Sequence, residues 1–449
     1  MLPDDPELLT AALSSETSPR RALDYLDVVD AAAGPSVVGI LARSRALRAL
    51  GRLPEAGAAL GGLALGMLPV DERMRADAAM RIESGMIAFL FGELPTAGEA
   101  LTHGLEGADD DVLPGARAEA HGALAIISFL LGRLASAREH VDAAGSVAGR
   151  AGAPAALARI LLELETSVVD GAASHAAAIA ADAAGTEYEA IAWCVEAYAL
   201  HAEGDDDATL ARLWRLGDPG SVQRPPLTQF LAMVGHLEVL TSRHEFASAL
   251  GLLHTVEADP EHAVCPASWE ARVLLETGDY ARALELVEPC VRPGRPHAAR
   301  TLAFALTVQA AALAGMRDLV TADAAFQRAL SLASVTGLRR HLVGLPSPLL
   351  SMLLTRAAAA ELPASSHGVV LDIVAMLPTD VRAPQPVLSA RERVVLEHLA
   401  AGEPLQRVAW LLSVSPNTVK AQARSIYRKL GVDSRDSAVQ RGRTLGLLG

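Results

Sequence analysis

The 449-residue sequence is short of several things that usually identify a protein class. It holds only three cysteines, Cys194, Cys265 and Cys290. They form neither a CxxC pair nor a disulfide framework, which points to a reduced, cytoplasmic setting. Aromatic residues make up only 4%. That disfavours an aromatic-rich β-sandwich and favours closely packed helices with small contact residues. Lysine is nearly missing, the only two being Lys420 and Lys429. Long apolar runs are missing too. The longest, Ala123 to Leu131, falls far short of the ~18 residues of a membrane span, and the acidic start MLPDDPELL is no signal peptide.

Catalytic signatures are equally scarce. There is no GxxxxGK(S/T), no HExxH, no GxSxG and no Cys/His cluster at zinc spacing. The thirteen histidines are scattered and read mostly as surface or cap residues. Asp109-Asp110-Asp111 and Asp205-Asp206-Asp207 read as solvated inter-helix turns rather than a metal site. Cys194 and Cys265 read as small buried helix residues rather than redox sensors. The expectation is a non-enzymatic protein with no cofactor, no metal and no membrane partner.

What is present is a large acidic body and a small basic end. The chain carries 39 Lys+Arg and 53 Asp+Glu, a net charge of −14. Residues 387–449 hold 10 and 5 of these, a net of +5, leaving −19 on residues 1–386. Such an imbalance predicts one nucleic-acid-binding module attached to a larger non-binding one.

The first 360 residues repeat. An apolar helical stretch runs into a turn, and an Ala-centred second stretch follows. The turns begin at Gly51, Gly92, Gly132, Gly171, Gly204, His244, Gly278 and Gly315, spaced by 41, 40, 39, 33, 40, 34 and 37 residues. Glycine ends a helix because it adopts positive φ without a Cβ clash. Ala56, Ala97, Ala137, Ala176, Ala249 and Ala283 each lie five residues after the turn residue, where a small side chain lets the second helix approach the first. An apolar residue two after the turn plugs the hairpin, as at Leu53, Leu94, Leu134, Phe246 and Tyr280. Two helices per 33–41 residues predict a helical solenoid, an irregular helical bundle being the alternative. Segments Leu349–Ala360 and Val369–Leu377 read as capping helices. PTDVRAPQP, residues 378–386, reads as an extended linker.

The last segment is the most informative. In LSARERVVLEHLAAG, Ser389 and Glu392 form a capping box and Gly402 closes the helix. A second short helix spans Gln406 to Leu412, and a tight turn follows at Ser413-Val414. The third begins SPNTVK, with Ser415 as N-cap and Pro416 at the first helical position. Val419, Ala423, Ile426 and Leu430 form one buried stripe. The opposite side shows Thr418, Lys420, Ala421, Gln422, Arg424, Ser425, Arg428 and Lys429. A fourth helix starts at the Ser434 cap. A tight turn between the second and third helices predicts a helix-turn-helix whose third helix enters the major groove. Lys420 and Arg424 suit guanine edges or phosphates, Asn417 and Thr418 a phosphate at the helix N-terminus, and Arg428 and Lys429 backbone positioning.

With those motifs, residues 388–448 resemble a LuxR-type DNA-binding domain. The opening helix, SPNTVKAQARSIYRKLGVDSR and AVQRGRTLGLL occur in the family's order. The resemblance implies DNA contact by Thr418, Val419, Lys420, Arg424 and Lys429, and dimerisation through the fourth helix, around Ser437 to Arg441. The repeat turns, GDYARALELV best, resemble tetratricopeptide-like repeats. A helical-repeat body before such a domain resembles the C-terminal part of the large ATP-dependent LuxR-type regulators. The sequence departs from the family at Glu403-Pro404-Leu405-Gln406, where the usual helix cap is missing, and at Trp410 and Leu411, usually polar. Trp410 is thus a candidate contact to the solenoid or to a second subunit. If the turns follow tetratricopeptide geometry, Met86, Phe89, Ile126, Phe129, Glu165, Val168, Tyr198 and His201 face the solenoid interior. Phe89, Phe129, Tyr198 and His201 then form a candidate effector groove, with inter-repeat core as the alternative.

The expected protein is all-α: a tetratricopeptide-like solenoid (1–377), a Pro-rich linker (378–386) and a four-helix LuxR-type helix-turn-helix (387–449). The expected function is DNA-binding transcriptional regulation in a bacterial cytoplasm, with duplex DNA, a second copy, an effector or protein on the solenoid, and RNA polymerase as partners. The alternative is a helical-repeat scaffold whose helix-turn-helix serves as a protein-docking module.

Overall fold

The computed structural model describes residues 18–62, 68–107, 115–166, 171–216, 225–253, 265–292, 297–377, 388–412 and 414–430, together with 432, 434–444 and 448. Every regular element among the described residues is a helix. Helix α1 (Pro19–Ala33) lies ahead of the first predicted turn and carries no repeat signature. Eight helical hairpins follow. They are α2 (Val37–Ala49) with α3 (Leu53–Leu60), α4 (Val70–Phe91) with α5 (Leu94–Gly107), α6 (Ala116–Leu130) with α7 (Leu134–Ala144), and α8 (Ala153–Thr166) with α9 (Ala172–Asp182). Next come α10 (Glu187–Glu203) with α11 (Asp206–Leu216), α12 (Pro226–Ser242) with α13 (Phe246–Leu253), α14 (Pro266–Thr277) with α15 (Tyr280–Val291), and α16 (Ala299–Gly315) with α17 (Leu319–Thr336). Short α18 (Arg340–Val343), then α19 (Ser347–Ala359) and α20 (Ala364–Met376), cap the array. The expected linker, 378–386, and Asp109 to Asp111 lie outside the described residues. No helix among the described residues is long and apolar enough to cross a membrane.

The turn chemistry follows the sequence closely. Gly51, Gly92, Gly132, Gly171, Gly204 and Gly278 all have φ between 75° and 88°, and His244 takes the same left-handed region at 60°. The alanines five residues on, from Ala56 to Ala283, are completely buried. The eighth turn departs from expectation. Gly315 is the last residue of α16, and the left-handed position is Arg317, at φ 68°. The register moves with it: the buried small residue is Ala322, five beyond Arg317, while Val320, five beyond Gly315, is exposed. Gly315 instead permits a close approach. A Cβ at this position would lie 2.6–2.7 Å from the Tyr280 ring.

First helices of successive hairpins stack, α2 on α4, α4 on α6, α6 on α8, α8 on α10 and α10 on α12. The array also curls back on itself. Helix α12 packs against α4, although some 150 residues separate them along the chain. Arg300 at the start of α16 reaches the first half: Nη2 donates to the Phe129 carbonyl (2.9 Å) and Nη1 to Glu165 (2.8 Å). Glu165 also accepts from the backbone N–H groups of Arg339 and Arg340, at 2.9 and 3.0 Å.

Inside the first half lies a feature the sequence does not advertise. Arg45, Arg48 and Arg150 meet Glu83, Glu119 and Glu187, and each of the six is at most 3% exposed except Glu187, at 4%. Arg48 binds Glu83 in a fork, Nε–Oε1 2.7 Å and Nη2–Oε2 3.1 Å, and donates through Nη1 to Glu119 (3.0 Å) and Glu187 (2.5 Å). Arg150 holds Glu187 with two bonds, Arg45 reaches Glu119 at 3.2 Å, and the Tyr188 hydroxyl donates to Glu119 at 2.5 Å. Burial alone would push the Glu119 carboxyl up, but Arg150, Arg48 and Arg45 together hold it well below the usual carboxylate range. Charges balance, three against three, and the carboxylates come from three hairpins: α4, α6 and α10. Such a cluster is neutral as a whole but intolerant of losing one member, because the remainder is a buried unpaired charge. Arg48→Met is therefore expected to cost about 3–5 kcal/mol, read as a lowered urea midpoint. Arg52→Ala, which breaks the exposed pair with Glu55, should leave that midpoint unchanged.

Candidate nucleic-acid interface

From Leu388 onward a separate apolar core begins. It joins Leu388, Val395, Leu396, Leu399, Val408, Ala409, Val419, Ala423, Ile426, Leu430 and Ala438, all within the last segment. The helices that build it are α21 (Ala390–Ala400), α22 (Leu405–Leu411), α23 (Pro416–Leu430) and α24 (Arg435–Thr444). Their order and lengths match the predicted helix-turn-helix.

Local chemistry sets each start. The Ser389 side chain accepts from the Glu392 N–H at 3.2 Å, and Glu392 Oε2 accepts from the Ser389 N–H at 2.7 Å. Gly402, at φ 82°, follows α21. Helix α22 has Pro404 as N-cap and no side-chain cap, as its departure from the family pattern implies. The Val414 N–H returns to the Ala409 carbonyl at 3.0 Å and closes the turn into α23; Ser413 itself lies outside the described residues. Ser415 caps α23 by accepting from the Thr418 N–H (3.1 Å), and the two hydroxyls bond each other at 2.8 Å. Ser434 caps α24 through the Ser437 N–H at 3.2 Å.

Helix α23 has an exposed face and a buried one. Asn417, Thr418, Lys420, Ala421 and Arg424 are exposed. Val419 is not among them: it is completely buried in the core, so its expected DNA contact is corrected to a packing role. Further along, two side chains reach Glu392 on α21. Lys429 Nζ binds Glu392 Oε2 at 2.6 Å, and the Ser425 hydroxyl donates to Glu392 Oε1 at 2.8 Å. Lys429 thereby ties the recognition helix to α21, with its side chain still 34% exposed. Arg428 belongs to α23, but its side chain lies outside the described ones. Arg435, which sequence reasoning passed over, donates twice to the Leu399 carbonyl, at 2.6 and 3.1 Å, and fixes α24 to α21. Trp410 is 74% exposed on α22, so it is buried neither by the solenoid nor by its own domain.

The other expected site does not form an open groove. Phe89, Met86 and Ile126 are completely buried, and Phe129 is nearly so. The Arg300 guanidinium lies 4.3 Å from the centre of the Phe129 ring. Tyr198 donates its hydroxyl to the Leu231 carbonyl, and burial pushes its phenol well up. His201 pairs with Asp206 at 2.7 Å, and Asp206 also accepts from Ser242. Val168 lies outside the described residues. The physical reason is the curl of the array, which fills the inner face with the returning helices α12 and α16. Asp205 serves as a cap instead, accepting from the Ala208 N–H at 2.9 Å.

Residues 386–441 match the family described as "Bacterial regulatory proteins, luxR family". The chain is 50% identical over 54 residues to the "Probable transcriptional regulatory protein NarL" of two Mycobacterium tuberculosis strains, CDC 1551 / Oshkosh and ATCC 25618 / H37Rv. That alignment covers 12% of this chain, which spans only 25% of NarL. Among solved structures, a Rap protein complexed with Competence and Sporulation Factor superposes with a TM-score of 0.49 at 11% identity, covering 74% of this chain and 98% of that one.

Glu392 is the hinge of the interface. Burial alone would raise its carboxyl, but Lys429, the Ser389 backbone and Ser425 pull it down to about 2. A carboxyl depressed in the folded state stabilises fully above its unfolded pKa of about 4.3 and loses that contribution as pH falls toward 2. The thermal midpoint of the C-terminal domain should fall across that window. Glu392→Gln should lower the midpoint at neutral pH and flatten its acid dependence, measured by circular dichroism melts.

Proposed function

We propose that this chain, whose last domain is a LuxR-type helix-turn-helix, is a cytoplasmic DNA-binding transcriptional regulator that acts by binding rather than by catalysis. The observation that carries the reading is the two-faced build of α23. One face presents Asn417, Thr418, Lys420 and Arg424 to solvent while the opposite face builds the domain core. Lys420 and Arg424 lie one turn apart, as two successive major-groove contacts require. Asn417 and Thr418 sit where backbone N–H groups already favour a phosphate. Lys429, paired with Glu392 but 34% exposed, stays in the proposed set as a backbone contact.

One helix-turn-helix offers few base contacts, so specific binding calls for a second copy and two half-sites about one helical turn apart. The fourth helix remains the proposed contact, although Ala438 is committed to the core and Ser437 is half-buried. The acidic superhelix is the platform for an effector or a protein, with RNA polymerase as a further partner. Because its inner face is filled, a partner meets the outer or end surfaces. The scaffold reading keeps one specific observation in its favour: Trp410, Leu411 and Val414 are exposed apolar side chains at the end of α22 and in the turn.

The test is a salt series with full-length protein on promoter fragments. Log affinity should fall linearly with log salt. Arg424→Ala and Lys420→Ala should each weaken binding by about 1–3 kcal/mol and relax base preference at one position if they read bases. Lys429→Ala should weaken binding to all sequences alike. No binding at any salt would favour the docking scaffold.

A further inference from the structure

Two of the three cysteines, 25 residues apart in sequence, meet inside the seventh hairpin. The Cys265 and Cys290 sulfurs lie 3.6 Å apart, both in one apolar cluster and both nearly buried. All three cysteines are thiols, and Cys194, completely buried in a different cluster, contacts the Thr228 carbonyl instead. Cys265 is the N-cap of α14, and Cys290 lies in the last turn of α15, one residue after Pro289. The turn at Gly278 joins the two helices at the other end. A bond between the sulfurs would therefore close the hairpin into a covalent ring at its open end.

We propose that Cys265 and Cys290 are an oxidisable dithiol, a modification site that takes hydrogen peroxide as oxidant and yields an intramolecular disulfide. The sulfurs stand in van der Waals contact, and the bond needs a contraction to about 2.05 Å, within reach of side-chain rotation. Cys265 is suited to attack first, because its sulfur lies at the positive end of the α14 dipole, where negative charge is held best. Its thiolate displaces water from the protonated peroxide as the O–O bond breaks, leaving a sulfenic acid. The Cys290 thiolate then attacks that sulfur and expels hydroxide. In sum two S–H bonds and one O–O bond are lost, one S–S bond forms, and the two electrons and two protons leave with the peroxide oxygens as two waters. Ser268, at the third position of α14, carries a buried hydroxyl with no hydrogen-bond partner among the described residues, a donor free for the sulfenate oxygen. The disulfide would lock the hairpin without rebuilding it, since both helices already stand in place.

The experiment uses reduced full-length protein treated with hydrogen peroxide, quenched, unfolded and alkylated. One alkylatable thiol, Cys194, is expected to remain of the three, with a peptide pair joining Cys265 to Cys290 that dithiothreitol releases. The thermal midpoint should rise by about 5 °C or more on oxidation and return on reduction. Cys194→Ala should behave like the parent chain, and Cys265→Ala or Cys290→Ala should abolish the rise. Three thiols surviving peroxide would overturn the proposal. So would sulfinic acid at Cys265, or links between different chains, in place of the internal bond. The thiol count and the peptide pair need no variant, so a misfolded substitution cannot obscure the result.

Discussion

Three guanidinium groups sealed inside the repeat array constrain everything built around them. Arg48 receives carboxylates from α4, α6 and α10, so the second, third and fifth hairpins must arrive in one register or leave a charge unpaired. Apolar packing between small alanines tolerates sliding. A forked arginine does not, because its donors sit in fixed directions. The cluster thus acts as a geometric specification laid over a permissive core. Its net worth in stability is modest, since desolvation offsets most of the Coulomb attraction, but it penalises every misregistered alternative. The Arg300 and Glu165 joint performs the same task further along, pinning the start of α16 to the first half of the array.

Much of the repeat architecture was legible because its signals are local. Positive φ needs glycine or a tolerant substitute, and a close helix crossing needs alanine, so the turn and the alanine five residues later mark each hairpin. At the eighth turn that logic points to the wrong residue. Gly315 is required by the Tyr280 ring and not by the turn, while Arg317 bears the left-handed strain. Composition cannot separate these two uses of glycine. The buried arginines were illegible for a related reason. Within ARSRALRAL, Arg43, Arg45 and Arg48 look alike, yet Arg43 pairs with Asp27 and Asp30 near the surface while Arg45 and Arg48 are sealed inside. Only the carboxylates brought in by α4, α6 and α10 distinguish them. The curl of the array turned an expected groove around Phe89 and Phe129 into core.

The C-terminal domain was read more fully, since caps, an N1 proline and a four-residue apolar stripe fix a short helix almost alone. Even so, the division of labour along α23 required coordinates. Val419 lies on the stripe and was also given a DNA contact by resemblance; burial decides for the core. Lys429 looks like one more basic residue on a basic face until Glu392 is placed beneath it. One carboxylate thereby caps α21, holds Ser425 and pairs with Lys429. The resulting molecule couples an acidic repeat array to a small domain whose proposed DNA-reading surface is the exposed face of α23.

The central claim, that this short surface is where DNA is met, is tested most directly by amide hydrogen exchange on the full-length protein with and without a bound promoter fragment. The account predicts new protection over residues 415–424, with amides around Arg48, Glu119 and Glu187 slow and unchanged in both states. Protection confined to the repeat array, or to residues 425–430 while 415–424 exchange as before, would contradict it.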